Sequence, residues 1–179
     1  MKTIIIGAVA AGMSAAAKLR RLDREMIIHV YEKGTDISYG GCGMPYFLGG
    51  LIEDEKQLVA RTRTDFEKEE IRVFLNHEVI AVDPKKKTVF ILKQETNEIF
   101  DDNYDKLVIA TGTSANRTYV SGSYDANIHV LNQLSDAREL KATLKTSDSV
   151  AIIGGGYIGV EVAENLAHLG MKVHIFEAL

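Results

Sequence analysis

Cysteine is nearly absent: the chain of 179 residues has one, Cys42. No intrachain disulfide can form, which excludes the small disulfide-stapled scaffolds of secreted domains and fits an intracellular, cytoplasmic protein. With 2 prolines there is no Pro-rich linker to separate modules. Charge of one sign is also lacking, since 21 Lys+Arg face 25 Asp+Glu. Outside Lys85–Lys87 there is no basic block, so the chain carries no electrostatic footprint for nucleic acid. No apolar run reaches the ~20 residues that span a bilayer, so a membrane role is not expected. Disorder is excluded by a hydrophobic content of 46 % with 26 % charged residues.

Met1–Ala17, with one Lys, an apolar stretch and then small residues, has the outline of a secretory leader. Two features oppose that reading: it runs on into a polar helical continuation, Lys18–Arg24, and its pattern recurs late in the chain.

The recurrence is the most informative feature. Thr3–Ile6 is a short β-branched run followed by Gly7 and Gly12, an Ala-rich helical stretch, and a second apolar run, Ile27–Tyr31, that ends at Glu32. Val150–Ile153 is followed by Gly154, Gly156 and Gly159, a helical stretch Val160–Leu169 that stops at Gly170, and Lys172–Phe176 leading to Glu177. First glycine and acid are 25 residues apart in one copy and 23 in the other. Both read as strand, glycine turn, helix, strand and acid, the layout of a dinucleotide-binding unit. The glycines permit a tight turn and let a pyrophosphate approach the helix N-terminus, where unpaired N–H groups and the helix dipole stabilise an anion. The acid can accept hydrogen bonds from ribose hydroxyls. The second copy has the complete glycine pattern; the first carries Val9 at the middle position.

Between the copies, Thr64–Glu70 reads as a charged helix, Ile71–Leu75, Glu78–Asp83 and Thr88–Leu92 as strands, and Asp83–Lys87 as a solvated turn. Leu107–Ala110 is a further strand and Leu134–Thr146 an amphipathic helix. Cys42 lies in a glycine-framed stretch, Ile37–Gly50. A helix starting there would set its positive end beside the sulfur and favour the thiolate; the alternative is a buried, inert thiol.

Taken in order, Gly7-x4-Gly12, Tyr31-Glu32-Lys33, Cys42, Tyr104–Gly112 and Gly154-x-Gly156-x-x-Gly159 resemble the FAD- and NAD(P)H-dependent pyridine nucleotide–disulfide oxidoreductases over the whole chain. The resemblance implies an α/β fold: two Rossmann-like FAD/NAD(P)-binding domains with parallel sheets and a small β-meander, the second domain truncated. The FAD domain would occupy 1–115 and the start of the nicotinamide domain 116–179. It implies FAD contacts at Gly7, Ala8, Val9, Ala10, Ala11, Gly12, Glu32, Lys33, Cys42, Val79, Ala110, Thr111 and Gly112. Nicotinamide-cofactor contacts fall at Gly154, Gly156, Tyr157, Ile158, Gly159, Glu161 and Glu177. Glu177 favours NADH, because a carboxylate there repels the 2′-phosphate of NADPH.

Phe47 stands where two-cysteine members have their second cysteine, so the chain resembles the single-cysteine branch of coenzyme A-disulfide reductases, NADH oxidases and NADH peroxidases. Ala10 replaces a His usual in the oxidases and peroxidases, and Cys42-Gly43-Met44-Pro45-Tyr46 and Ser114-Ala115-Asn116 are closer to the reductases. Carried over, the catalytic thiol is Cys42, and Ser14, Lys18, Arg21 and Ser38 would contact the small thiol or disulfide substrate. Gly41 departs from the Asn common before the cysteine in reductases. Arg20 and Arg21, apart from the resemblance, read as a solvated helix end. Family members continue well past this point and the full-length form would be a homodimer, so weak or no turnover is expected of this chain by itself. The alternatives are an NADH oxidase or peroxidase and a noncatalytic nucleotide-binding module.

Overall fold

The computed structural model describes residues 1–117, 122, 125 and 127–178. In chain order its elements are β1 (Lys2–Ile6), α1 (Ala10–Leu22), β2 (Ile27–Tyr31), α2 (Met44–Leu48), α3 (Arg63–Glu67), β3 (Ile71–Phe74), β4 (His77–Asp83) and β5 (Thr88–Lys93). There follow β6 (Glu98–Asn103), β7 (Lys106–Ile109), α4 (Leu134–Leu144), β8 (Ser149–Ile153), α5 (Tyr157–His168) and β9 (Lys172–Phe176). They divide into two compact units, one of residues 1–39 and 59–112, the other of 40–58 and 113–179.

In the first unit β3-β2-β1-β7 form a parallel sheet. Strands of such sheets are covered on both faces, which is why β1 reads as an unbroken apolar run rather than an alternation. Ile5 points to one side and packs with Met13, Ala16, Val30, Phe66 and Val73; Ile4 points to the other and packs with Tyr31, Val89 and Ile91. The second layer comes from the antiparallel meander β4-β5-β6. The leader-like stretch Met1–Ala17 thus supplies a central strand and the first turns of its helix, with Ile4 and Ile5 wholly buried.

The strand read at Ile71–Leu75 is present as β3 and joins the parallel sheet through β2. One strand was not expected and one helix differs. The meander's third strand is Glu98–Asn103, an acidic run that shows little apolar alternation. The charged helix is shorter than Thr64–Glu70: Thr62 and Asp65 form a reciprocal capping box at its start, and Glu70 sits at φ +58° just before β3.

The register brings Ile6 level with Tyr31 and Ile109, so Gly7, Glu32 and Ala110 meet at the carboxyl edge of the sheet. β2 and β7 leave β1 on opposite sides, the switch point at which open α/β sheets take ligands.

In the second unit β8 and β9 pair in parallel, Ile153 level with Phe176. α5 begins at Tyr157, three residues before the expected Val160, because the glycine turn feeds directly into it. Gly170 at φ +82° ends it. The 40–58 segment packs here: α2 lies against α4 and α5.

Candidate functional site

The first glycine turn is fixed by three backbone hydrogen bonds. Gly7 N–H donates to Tyr31 O (2.8 Å), Ala110 N–H to Ile6 O (2.8 Å) and Glu32 N–H to Phe74 O (2.9 Å). Gly7 takes φ +99°, and a Cβ there would lie 2.3 Å from Ala110 O. At Gly12 a Cβ would lie 1.8 Å from Gly7 O, so only glycine lets α1 begin this close to the strand. Glu32, 9 % exposed, accepts from Ala8 N–H (2.7 Å) and Gly34 N–H (2.8 Å), tying the loop to the end of β2.

The second turn repeats this construction. Gly154 at φ +107° donates its N–H to Phe176 O (2.8 Å), a Cβ at Gly159 would lie 2.1 Å from Gly154 O, and Gly155 N–H donates to Glu177. Added Cβ atoms at Gly154 and Gly156 would meet nothing within 4 Å, so this backbone faces open space. Neither α1 nor α5 has a side-chain cap or an acidic residue in its first turn. Both helix starts therefore offer unfilled N–H groups at the positive end of the dipole, which suits a pyrophosphate. Val9, in place of the middle glycine, is the residue before α1 and adopts φ −92° and ψ −134°.

The sheet edge gathers Gly7–Gly12, Glu32 and Ala110–Gly112. Ser38, at φ +49°, joins them by donating its N–H to Ala8 O (2.9 Å). Lys33, Thr111 and Gly112 are exposed beside them. Val79 is not at this edge: it sits at a bulge in β4 and packs into the layer between sheet and meander. Ser14, Lys18 and Arg21 recur at helical spacing and form one exposed stripe on α1. Around the second turn, Tyr157 and Ile158 are exposed, Glu161 is half-buried, and Glu177 closes back on the loop.

Cys42 is a free, exposed thiol, so the buried alternative is set aside. It lies in a 3-10 turn, Gly41–Gly43, that runs straight into α2. Met44, Phe47 and Leu48 bury one face of this segment, leaving Cys42 and Tyr46, four residues apart, on the open one.

A sequence model of the pyridine nucleotide-disulphide oxidoreductase family matches residues 1–179. The chain belongs to that family. It is 38 % identical over 173 residues to the coenzyme A disulfide reductase of Staphylococcus epidermidis, a match covering 96 % of this chain and 39 % of that protein. Reduced Bacillus anthracis CoADR-RHD superposes with a TM-score of 0.94 at 33 % identity, over 98 % of this chain and 32 % of that one. The NADH-bound, water-forming NADH oxidase of Lactobacillus brevis gives 0.96 at 28 % identity, over 100 % and 40 %. The chain thus spans about two fifths of the length of the curated relatives it matches. The family's fold of two Rossmann-type units with a small meander is the one described above. Among the described residues no helix is long and apolar enough to cross a membrane.

Sequence reasoning missed two groups. Arg20 is not part of a solvated helix end: it is 9 % exposed and donates to the carbonyls of Arg24 and Glu70. Its signal was its spacing from Met13 and Ala16, which puts it on the buried face of α1. The second group is Asp102 of β6, which accepts from Lys2 Nζ, Tyr31 OH (2.8 Å) and His29 Nδ1 (3.0 Å). Burial alone would raise the Asp102 pKa, but these hydrogen bonds outweigh it and hold the carboxyl below its usual range. Burial lowers His29 and, together with Asp102, pushes the Tyr31 phenol up.

Proposed function

We propose that this chain is part of a flavoenzyme that moves an electron pair from NADH through FAD to Cys42 and on to a small disulfide, coenzyme A disulfide being the favoured substrate. The observation that carries this reading is the duplicated, acid-clasped glycine turn: two dinucleotide cradles of one construction in a chain whose single cysteine is exposed. FAD at the first turn would supply the two-electron relay between nicotinamide and sulfur. The chain's part is binding and thiol chemistry. The N–H groups opening α1 and α5 hold the pyrophosphates, Glu32 and Glu177 face the riboses, and the charge of Glu177 disfavours a 2′-phosphate. Ser14, Lys18, Arg21 and Ser38 would engage the substrate, the two cations suiting its phosphates.

The Cys42 thiolate attacks one sulfur of the disulfide; a Cys42–thiol mixed disulfide forms and the other half leaves as thiolate. Two electrons and a proton then cleave the mixed disulfide, returning the Cys42 thiolate and freeing the second thiol. In sum NADH, a proton and the disulfide give NAD+ and two thiols.

The test uses the flavin-loaded full-length protein, following NADH oxidation and thiol release with coenzyme A disulfide. Cys42→Ser is expected to abolish thiol release while NADH still reduces ferricyanide. Thiol release at the wild-type rate by Cys42→Ser overturns the proposal, and oxygen uptake without any disulfide would mark an oxidase instead.

A further inference from the structure

Glu32 is gripped at its backbone and at its carboxylate. Its N–H donates to Phe74 O (2.9 Å) and its C=O accepts from His77 N–H (2.9 Å). The carboxylate accepts from Ala8 N–H (2.7 Å) and Gly34 N–H (2.8 Å). A carboxylate offers about four lone-pair sites, so about two stay open for ribose hydroxyls. Such bonds weaken steeply with misalignment, so the peptide that carries the carboxylate has to be held still.

The residues that hold it share one ring cluster. Tyr31, the residue before Glu32, stacks its ring on that of Phe74, with centroids 4.9 Å apart and planes 17° apart, and lies 6.4 Å from the His77 ring. The Phe74 and His77 rings are themselves 5.7 Å apart. These are the two residues whose backbones bond Glu32 on either side. Tyr31 is fixed at both of its ends. Its carbonyl accepts from Gly7 N–H (2.8 Å), and its phenol donates to Asp102 (2.8 Å), a charge-assisted hydrogen bond. Phe100, on the same inward face of β6 as Asp102, closes the cluster at 6.4 Å from Tyr31 and 5.9 Å from His77. All of these residues belong to the first unit. We propose that Tyr31, hooked at its phenol by Asp102, is a positioning residue for the Glu32 carboxylate and so for the adenosine ribose of a bound flavin. This rests on the first turn taking FAD.

The experiment compares FAD with its 2′-deoxyadenosine analogue, which lacks a hydroxyl for Glu32 to accept from. Release of each flavin from the loaded full-length protein is followed by flavin fluorescence. Wild type should hold FAD the more tightly. Tyr31→Phe, which keeps the ring and loses the hook, is expected to bring the two affinities about threefold to tenfold closer, the worth of one net hydrogen bond. Thr88→Val is the comparison: it removes a hydrogen bond to Asn103 (2.7 Å) from the same meander, outside the ring cluster, and should leave the ratio alone. A second measurement needs no flavin. The Ala8 and Gly34 amides, both bonded to the Glu32 carboxylate, should exchange faster in Tyr31→Phe before loading and not in Thr88→Val. An unchanged ratio or unchanged exchange in Tyr31→Phe, equal changes in Thr88→Val, or a wild type that holds both flavins alike overturns the inference. A wild-type protein that holds neither flavin, with the two amides still dependent on Tyr31, overturns the functional reading alone.

Discussion

At Gly12 and Gly159 a missing Cβ decides how closely helix and strand can approach. A methyl at either position would sit about 2 Å from the carbonyl oxygen of the turn's first glycine. That oxygen is backbone, so it cannot swing aside as a side-chain end would. Gly12→Ala is expected to push α1 off the strand, costing on the order of 1–3 kcal/mol in stability and most of the bound flavin, measured as the FAD absorbance retained after gel filtration. Full flavin occupancy in Gly12→Ala would show that the turn tolerates a larger gap. Glu177 is the matching residue in the second turn. Glu177→Ala should raise the ratio of NADPH to NADH turnover in steady-state kinetics; an unaltered ratio would remove it from coenzyme selection. These glycines and acids were legible in the sequence because they act through local spacing. Asp102 was not, because its three partners lie about 70 to 100 residues away, on β1 and β2.

The long-range link matters at the level of elements, where it fastens the meander to the parallel sheet. His29 is held below 6.5 and Tyr31 above 10.0. A depressed pKa gives stability that is complete above the unfolded value and is lost as pH falls through the folded one, so His29 contributes above about 6.5. A raised pKa works the other way, so the Tyr31 contribution is complete below about 10. Unfolding free energy of the first unit should therefore form a plateau between these limits and fall on both sides, with Asp102 adding to the acid loss below its own ordinary value of 3.8. Asp102→Asn should cost about 1–3 kcal/mol and remove the loss below 3.8, while the fall just below 6.5 steepens, because Asp102 raises the His29 pKa against burial, as measured by urea unfolding at stepped pH. An acid limb identical to wild type would place the titrating group elsewhere. β6 itself was invisible beforehand for the same reason. Its inward residues are Phe100 and Asp102, one apolar and one charged, so the alternation that reveals a half-buried strand is missing.

Across the whole molecule the two glycine turns are alike, yet the sheets that carry them are not. β1 is flanked by β2 and β7 and covered on both faces. Among the described residues β8 pairs with β9 alone, and Ile153, Ile175 and Phe176 are 66, 45 and 60 % exposed. A parallel pair gains little from its hydrogen bonds unless both faces are buried, and local opening follows buried contact density. Amide hydrogen exchange on the 179-residue chain should therefore show strong protection in residues 2–6 and 27–31 and weak protection in 149–153 and 172–176. On the proposed function, NADH held at the second turn should raise the protection of the same amides in the flavin-loaded protein. Equal protection of both strand pairs in the 179-residue chain would mean that α5 alone suffices to lock β8 and β9, through the buried row of Val162, Ala163 and Leu166.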